Sequence, residues 1–415
     1  MHTNENNLRR EADQIIAAAL QAAMPDSAVR QTLAGREFPD GKLILVAIGK
    51  AAWQMAKAAC ELLQDRLSQG IVITKYNHAK GELPNVRIFE AGHPVPDKNG
   101  VAAAQEAIDM VTGLSATDTV LFLVSGGGSA LFEKPLVPLE TLENVNRQLL
   151  FCGADIAQIN TIRKRLSAVK GGRFAMLCAP AKVLTIALSD VLGDNPATIA
   201  SGPAYPDAAT ADDALAIVKQ YGLTLDPDTL ALLAKETPKA LHNVETVVAG
   251  SVRHLCAAAA QECKALGYEP VLLTDSLCCT ARDAGSFLAS IAQTHQGTHR
   301  SLAYLAGGET VVKLTGKGLG GRNQELALAA AQGLDGLQDT AVFSVGSDGT
   351  DGPTEAAGGY VDGRTAQALR QKGLDISQVL QDNDSYHALE AADGLIVTGP
   401  TGTNVNDLTA LLIRR

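Results

Sequence analysis

Aromatic residues are scarce in this chain, at 4% with a single tryptophan. A core without large rings must be closed by small side chains in tight contact, and the 39 glycines together with abundant alanine suit close helix–sheet packing. Basic residues do not predominate. Lys and Arg number 35 against 45 Asp and Glu, a formal net charge of −10, so the basic stripe that a nucleic-acid surface needs is not expected. A local cluster of cations can still hold an anion against that global sign. The seven cysteines are an odd count without zinc-ligand spacing, and read as buried thiols in a reducing compartment. No apolar run approaches the ~20 residues of a membrane span. The N-terminal stretch "MHTNENNLRREADQII" starts polar and turns amphipathic, unlike a signal peptide. A cytoplasmic protein is expected, with no membrane or nucleic-acid partner. Three catalytic signatures are missing as well: the G-x-S-x-G elbow, the H-E-x-x-H zinc site and the G-x-x-x-x-G-K-[ST] phosphate loop.

What is present is an alternation of helical and strand patterns, which predicts an α/β fold around mainly parallel sheets. Apolar strands are expected at 42–50, 70–75, 86–91, 118–124 and in 181–194, which ends in an acidic loop, with helices over 8–23, 51–67 and 97–112 and two more across 139–166. The alternation restarts after "KETPKALHN", which places a domain boundary near residue 240 and two domains at 1–240 and 241–415. In the second half a strand "VVKL" (311–314) precedes the glycine-rich "TGKGLGG", and a strand opens "TAVFSVGSDGTDG". Small, polar and charged residues keep following the strands: Gly49-Lys50, Ser125–Ser129, Ser189-Asp190, Gly307-Gly308-Glu309 and Ser347-Asp348. Ligands of open α/β sheets sit outside the carboxyl ends of strands, so these five ends predict one site in a cleft between the two domains.

The stretch "VSGGGSAL" is the most pointed of them. One glycine would serve a tight turn; Gly126, Gly127 and Gly128 bracketed by Ser125 and Ser129 suit an anion nest of backbone N–H groups for phosphate. Lys50 stands directly after a strand, where it can neutralise a transferring phosphoryl group. Arg322 follows two glycines at a helix entrance, with Asn323 beside it, and a guanidinium there can grip phosphate bidentately. The acidic loops "SDVLGDN" (Asp190, Asp194) and "GSDGTDGPTE" (Asp348, Asp351, Glu355) offer Mg²⁺ ligands or a base for a hydroxyl proton, and are equally ordinary turn chemistry. Of eight dispersed histidines only His93 and His387 attract notice, and both read as core or loop structure.

Two other functions compete. "GKGLGG" (316–321) matches the G-x-G-x-x-G of a nicotinamide dehydrogenase, but the nearest acid, Asp339, precedes the next strand, which ends in serine-aspartate eight residues later, a weak fit to that fingerprint. A non-catalytic sugar-phosphate sensor would use the same nest without needing Lys50, Arg322 and several acids.

With these residues assembled, the chain resembles the glycerate 2-kinase family of bacteria and archaea. The resemblance is carried by "AIGKAA", "GHPVPD", "VSGGGSAL", "KRLSAVKGGR", "LSDVLGDNPATIASGP", "GGETVV", "GRNQELAL", "GSDGTDGPTEAAG" and "TGTNVNDL", which run from about residue 40 to 408. It implies a Rossmann-like N-terminal domain with a mainly parallel sheet and a smaller α/β, MOFRL-type C-terminal domain. It further implies ATP- and Mg²⁺-dependent phosphorylation of glycerate on its 2-hydroxyl, with Lys50 and Arg322 acting on the transferred phosphoryl. On that reading Asp190 orients or deprotonates the hydroxyl, residues 125–129 and Asn323 hold phosphate, and Asp348 and Asp351 face the metal. Relatives have also been labelled hydroxypyruvate reductases. Oligomeric state is left open, a homodimer included.

Overall fold

The computed structural model describes residues 5–415. It separates into two compact units: a central unit, Ala28–Ala249, and a terminal unit that joins the N-terminal stretch through Ser27 to Gly250–Arg415. The second domain therefore begins nine residues later than the sequence predicts. The N-terminal helix also belongs with it rather than with the first domain.

In the central unit six strands form one sheet: β1 (Leu43–Ile48), β2 (Gln69–Lys75), β3 (Val86–Ala91), β4 (Thr119–Val124), β5 (Lys182–Leu188) and β6 (Val244–Gly250), in the order β3-β2-β1-β4-β5-β6. The pairings β1–β2, β2–β3, β1–β4 and β4–β5 are all parallel. Six consecutive apolar residues in β1 suit this position, because a parallel strand is covered on both faces. Ile44, Val46 and Ile48 point into one core layer with Phe122, Phe132 and Phe174, while Leu43, Leu45 and Ala47 point into the other with Trp53, Met55 and Leu123. The few aromatic rings are concentrated: Phe122, Phe132 and Phe174 stack with centroids 4.8–6.0 Å apart. The strand order reverses between β1 and β4, and loops at such a switch point diverge to leave room for a ligand.

The terminal unit holds a second six-stranded sheet of β7 (Glu269–Leu277), β8 (Leu302–Gly308), β9 (Thr340–Gly346), β10 (Gly358–Asp362), β11 (Leu395–Ile396) and β12 (Asp407–Ile413), in the order β11-β10-β9-β12-β8-β7. Only β7–β8 is parallel; β12 runs antiparallel between β8 and β9, and β10 and β11 continue antiparallel. The expectation of mainly parallel sheets thus holds for the central unit and is corrected to a mixed sheet here. Residues 311–314, expected as a strand, contribute only one isolated bridge from Val311 to Thr280. The helix Glu5–Ala22 lays Leu8, Ala12, Ile15, Ile16 and Ala19 against Leu255, Ala259 and Phe343 of this unit. Those apolar positions repeat at helical spacing, so one stripe is buried and the rest stays wet. No described helix is long and apolar enough to cross a membrane.

Candidate active site

At the switch point of the central sheet, β1 runs through Gly49 and Lys50 into the helix Ala52–Leu63, and β4 runs through residues 125–127 into a single turn, Gly128–Leu131. The two loops are tied together. Lys50 N donates to Gly126 O at 2.9 Å, and Ala51 N donates to Ser125 Oγ at 3.1 Å. Ser125 Oγ in turn donates to Ile48 O at 3.1 Å. With its hydroxyl committed in both directions and the residue buried, Ser125 is a rivet between strand ends and not a phosphate ligand, which corrects the expectation. Ser129 Oγ lies 3.0 Å from Ser201 Oγ, which donates to Asn160 Oδ1 at 3.0 Å. That hydroxyl belongs to a chain of polar groups at the edge of the loop.

The three glycines have separate reasons. A Cβ on Gly128 would stand 2.7 Å from Ala200 Cβ, so this glycine serves packing. A Cβ on Gly126 would stand 2.5 Å from Asp190 Oδ2, and one on Gly127, whose φ is +83°, would stand 3.0 Å from His93 Nε2 and 3.3 Å from Lys50 Cγ. Bare backbone at 126–127 therefore lets Asp190, His93 and Lys50 converge on it from three different loops. The turn after it is too short for a strong dipole.

Lys50 makes no side-chain hydrogen bond or ion pair with any described residue. Elsewhere in this unit buried cations are neutralised: Lys164 meets Asp207 at 3.0 Å and Lys170 meets Glu133 at 2.8 Å. His93, read from sequence as loop structure, is brought to the same place. Burial lowers its pKa first, and the charges of Lys50, Lys75 and His78 lower it further, all favouring the neutral ring. His387 lies in the terminal unit, exposed, with Nδ1 2.6 Å from Asp384 Oδ1.

Arg322, at the first turn of the helix Arg322–Leu334, is already engaged in the terminal unit. Its Nε and Nη2 reach Asp407 at 2.6 and 3.0 Å, and Nη1 pairs with Glu309. Burial works against the charge, but the Asp407 hydrogen bonds and the neighbouring carboxylates outweigh it and raise the pKa. Asn323 is buried, with Nδ2 on Asp351 Oδ1 at 3.3 Å and Oδ1 accepting from Ser344 Oγ at 2.6 Å. It orients the helix start and is not the phosphate ligand expected. Asp351 is likewise corrected. Its oxygens accept from the backbone N–H groups of Asn323 (3.1 Å) and Gln324 (2.9 Å) and from both side-chain amides, so it caps the helix rather than facing a metal. Burial pushes its pKa up to about 6 against those donors. Asp348 closes a turn by accepting from Thr350 N at 3.0 Å and Thr350 Oγ1 at 3.2 Å, both through Oδ1, and Oδ2 makes no hydrogen bond to a described residue. No described group of three or more His, Cys, Asp or Glu side chains is arranged to hold a metal. Asp407 and Glu309 carry no local motif beyond following or starting a strand, so sequence gives no signal of their grip on Arg322.

The dinucleotide-like stretch 316–321 is sealed by its own unit. Cβ atoms on Gly316, Gly318 and Gly320 would strike Asp382, Asp384 and Ser385 within 2.4 Å, and Gly318 N donates to Asp382 O at 2.8 Å. These glycines admit the loop 382–385, not a pyrophosphate, and no strand leads into them.

Known proteins resemble this chain over nearly its whole length. Residues 11–234 match a domain of unknown function (DUF4147), and residues 302–407 match the MOFRL family. The D-glycerate 2-kinase of Thermotoga maritima is 49% identical over 413 residues, covering 98% of this chain and 99% of that one. The chain belongs to the glycerate 2-kinase family. The crystal structure of glycerate kinase from Thermotoga maritima superposes with a TM-score of 0.96 at 48% identity, over 99% of this chain and 100% of that one. A relative from Agrobacterium vitis, 39% identical over 100% of this chain and 96% of its own, carries a hydroxypyruvate reductase label. Family membership accounts for the two-unit architecture and for the sealed 316–321 loop, which a glycerate kinase does not need for nicotinamide.

Proposed function

We propose that this chain transfers the γ-phosphoryl group of ATP to the 2-hydroxyl of glycerate, giving 2-phosphoglycerate and ADP. The observation that carries the reading is Lys50, an ammonium without a partner among the described residues, set beside the bare Gly126–Gly127 backbone at the sheet's switch point. Phosphoryl transfer asks the protein mainly for positioning and for positive charge on the equatorial oxygens. Lys50 supplies that charge. The Gly126 and Gly127 amides bind terminal phosphate oxygens, and Asp190, across Gly126, orients the 2-hydroxyl or takes its proton. Arg322, in the terminal unit, is the second cation assigned to phosphate, which a guanidinium can grip bidentately as it grips Asp407 here. Of the two acids expected at the metal, Asp351 does not fit, since both its oxygens accept from the helix start, whereas Asp348 keeps one oxygen without a hydrogen bond to a described residue. Magnesium, which needs few protein carboxylates when phosphates complete its shell, supplies charge neutralisation on the nucleotide.

Purified protein given glycerate with ATP and Mg²⁺ should release ADP and 2-phosphoglycerate, and hydroxypyruvate with NAD(P)H should show no loss of nicotinamide absorbance. Lys50→Ala should keep its melting temperature and lose about 10³-fold or more in kcat, in line with other cations at phosphoryl-transfer sites. Nicotinamide oxidation without ADP release, or a Lys50→Ala rate within a few-fold of the parent, would reject the proposal.

A further inference from the structure

Lys50 does not stand alone. The last paired residues of β1 and β2 are Ile48 and Ile73, and two positions beyond them stand Lys50 and Lys75. Lys75 is level with Ala91 at the end of β3, and His93 follows two residues later. Three basic side chains thus end three adjacent parallel strands in one row. None of the three has a side-chain hydrogen bond or ion pair among the described residues. Lys50 and Lys75 both lie close enough to His93 to lower its pKa. Two ammonium groups without a hydrogen-bonded or ion-paired carboxylate, beside a histidine and near Asp190, suit an anion from outside the chain.

The neighbours of the bare backbone suit a small anion. Gly126 and Gly127 are consecutive, about 3.8 Å apart at Cα like any such pair. Asp190 Oδ2 approaches the first and His93 Nε2 approaches the second. That is the scale of a short 2-hydroxy acid, whose hydroxyl and carboxylate sit on adjacent carbons. It is far smaller than a triphosphate. We propose that His93, beside the Gly127 backbone, and Lys75, at the end of the neighbouring strand, form the subsite that receives the carboxylate of the acceptor acid. The inference rests on the kinase reading for the identity of that acid. His93 donates from Nε2 to one carboxylate oxygen, and Lys75 supplies the countercharge that Lys50, committed to the phosphoryl group, does not.

The test separates acceptor from nucleotide. Glycerate, glycerol (the same skeleton with the carboxylate replaced by hydroxymethyl) and a non-hydrolysable ATP analogue are titrated calorimetrically into the parent, Lys75→Gln, Lys75→Arg and His93→Asn. Thermal melts verify that each variant is folded. The expected result is a glycerate affinity lowered about ten- to a hundredfold in Lys75→Gln and His93→Asn, with substantial recovery in Lys75→Arg, as for loss of a hydrogen bond to a charged group. The analogue should bind every variant within about threefold of the parent, and the parent's preference for glycerate over glycerol should shrink in Lys75→Gln. Unchanged glycerate affinity in both variants overturns the subsite. Equal losses for the analogue also overturn it, by giving the row to nucleotide phosphate. A parent that binds glycerate with the expected variant losses yet transfers no phosphoryl group would sink the kinase reading and leave the subsite standing.

Discussion

Gly126 and Gly127 concentrate the local chemistry, because each is bare where a functional side chain must come close. The Cβ of Gly126→Ala would meet the end of the Asp190 side chain at 2.5 Å. A flexible carboxylate can swing away, so the fold should survive while Asp190 is displaced. Misplacement of about 1 Å at a reacting group costs on the order of 10²-fold in rate. Gly126→Ala should therefore lose roughly that much in kcat with its melting temperature within a few degrees of the parent, measured by steady-state kinetics beside calorimetry. His93 yields a second prediction at this scale. Its pKa is lowered in the free protein, where burial and then the charges of Lys50, Lys75 and His78 disfavour the imidazolium. A carboxylate bound beside it pulls the pKa back up, so the complex holds more protons than the free protein. Affinity for glycerate must then rise as pH falls from about 8 towards 6. Calorimetry in buffers of different ionisation enthalpy should register proton uptake on binding, and His93→Asn should abolish it.

The helix Arg322–Leu334 is the element whose role changed most between sequence and structure. Its first turn reads as a phosphate grip because arginine follows glycines. In the fold, four N–H donors of Asn323 and Gln324 converge on Asp351, and Gly321 is bare since a Cβ would stand 2.2 Å from the Asp351 carboxyl carbon. Asp351→Ala leaves those donors buried without an acceptor. It should lower stability by about 1–3 kcal/mol, read from urea midpoints at neutral pH. A midpoint unchanged within error would mean that water replaces the carboxylate at no cost. Local pattern could not distinguish a cap from a ligand here, because the partner acid is 28 residues away in the chain. By contrast β1, β4 and β5 were legible. Each is an apolar run stopped by glycine or serine, and β-sheet burial on both faces demands that pattern. β10 escaped notice because it begins Gly358-Gly359, a poor strand former on propensity. The structure explains the first glycine: a Cβ on Gly358 would fall 1.9 Å from Ser344 O of the neighbouring strand. The same limit hid the row of cations. Lys50 was visible from its own loop, whereas Lys75 and His93 join it only through strand register.

At the scale of the whole chain, the terminal unit is assembled from both ends of the sequence. Leu8, Ile15 and Ile16 of the helix Glu5–Ala22 bury their side chains against residues beyond Gly250. Polar contacts reinforce the stripe. Tyr268 donates to Glu11, Arg414 pairs with Glu11 at 3.4 Å, and Thr403 donates to Ala23 O at 2.8 Å. Fully burying one leucine or isoleucine side chain stabilises by about 1.5–3 kcal/mol, so this stripe alone matches much of a typical domain stability of 5–15 kcal/mol. A chain lacking residues 1–24 should consequently fail in the terminal unit first, although its deletion lies at the opposite end of the sequence. Hydrogen exchange should rise in the helix Val252–Ala265 and in β9, whose apolar faces would be uncovered. Exchange in β1 and β4 should stay slow, because their covering side chains all come from the central unit. If exchange rose equally in both units, the helix would be supporting a single cooperative block. If it rose in neither, the apolar stripe would contribute less than its burial implies. The expected pattern, fast in β9 and slow in β1, would show that the terminal unit depends on a helix read more than two hundred residues before the rest of it.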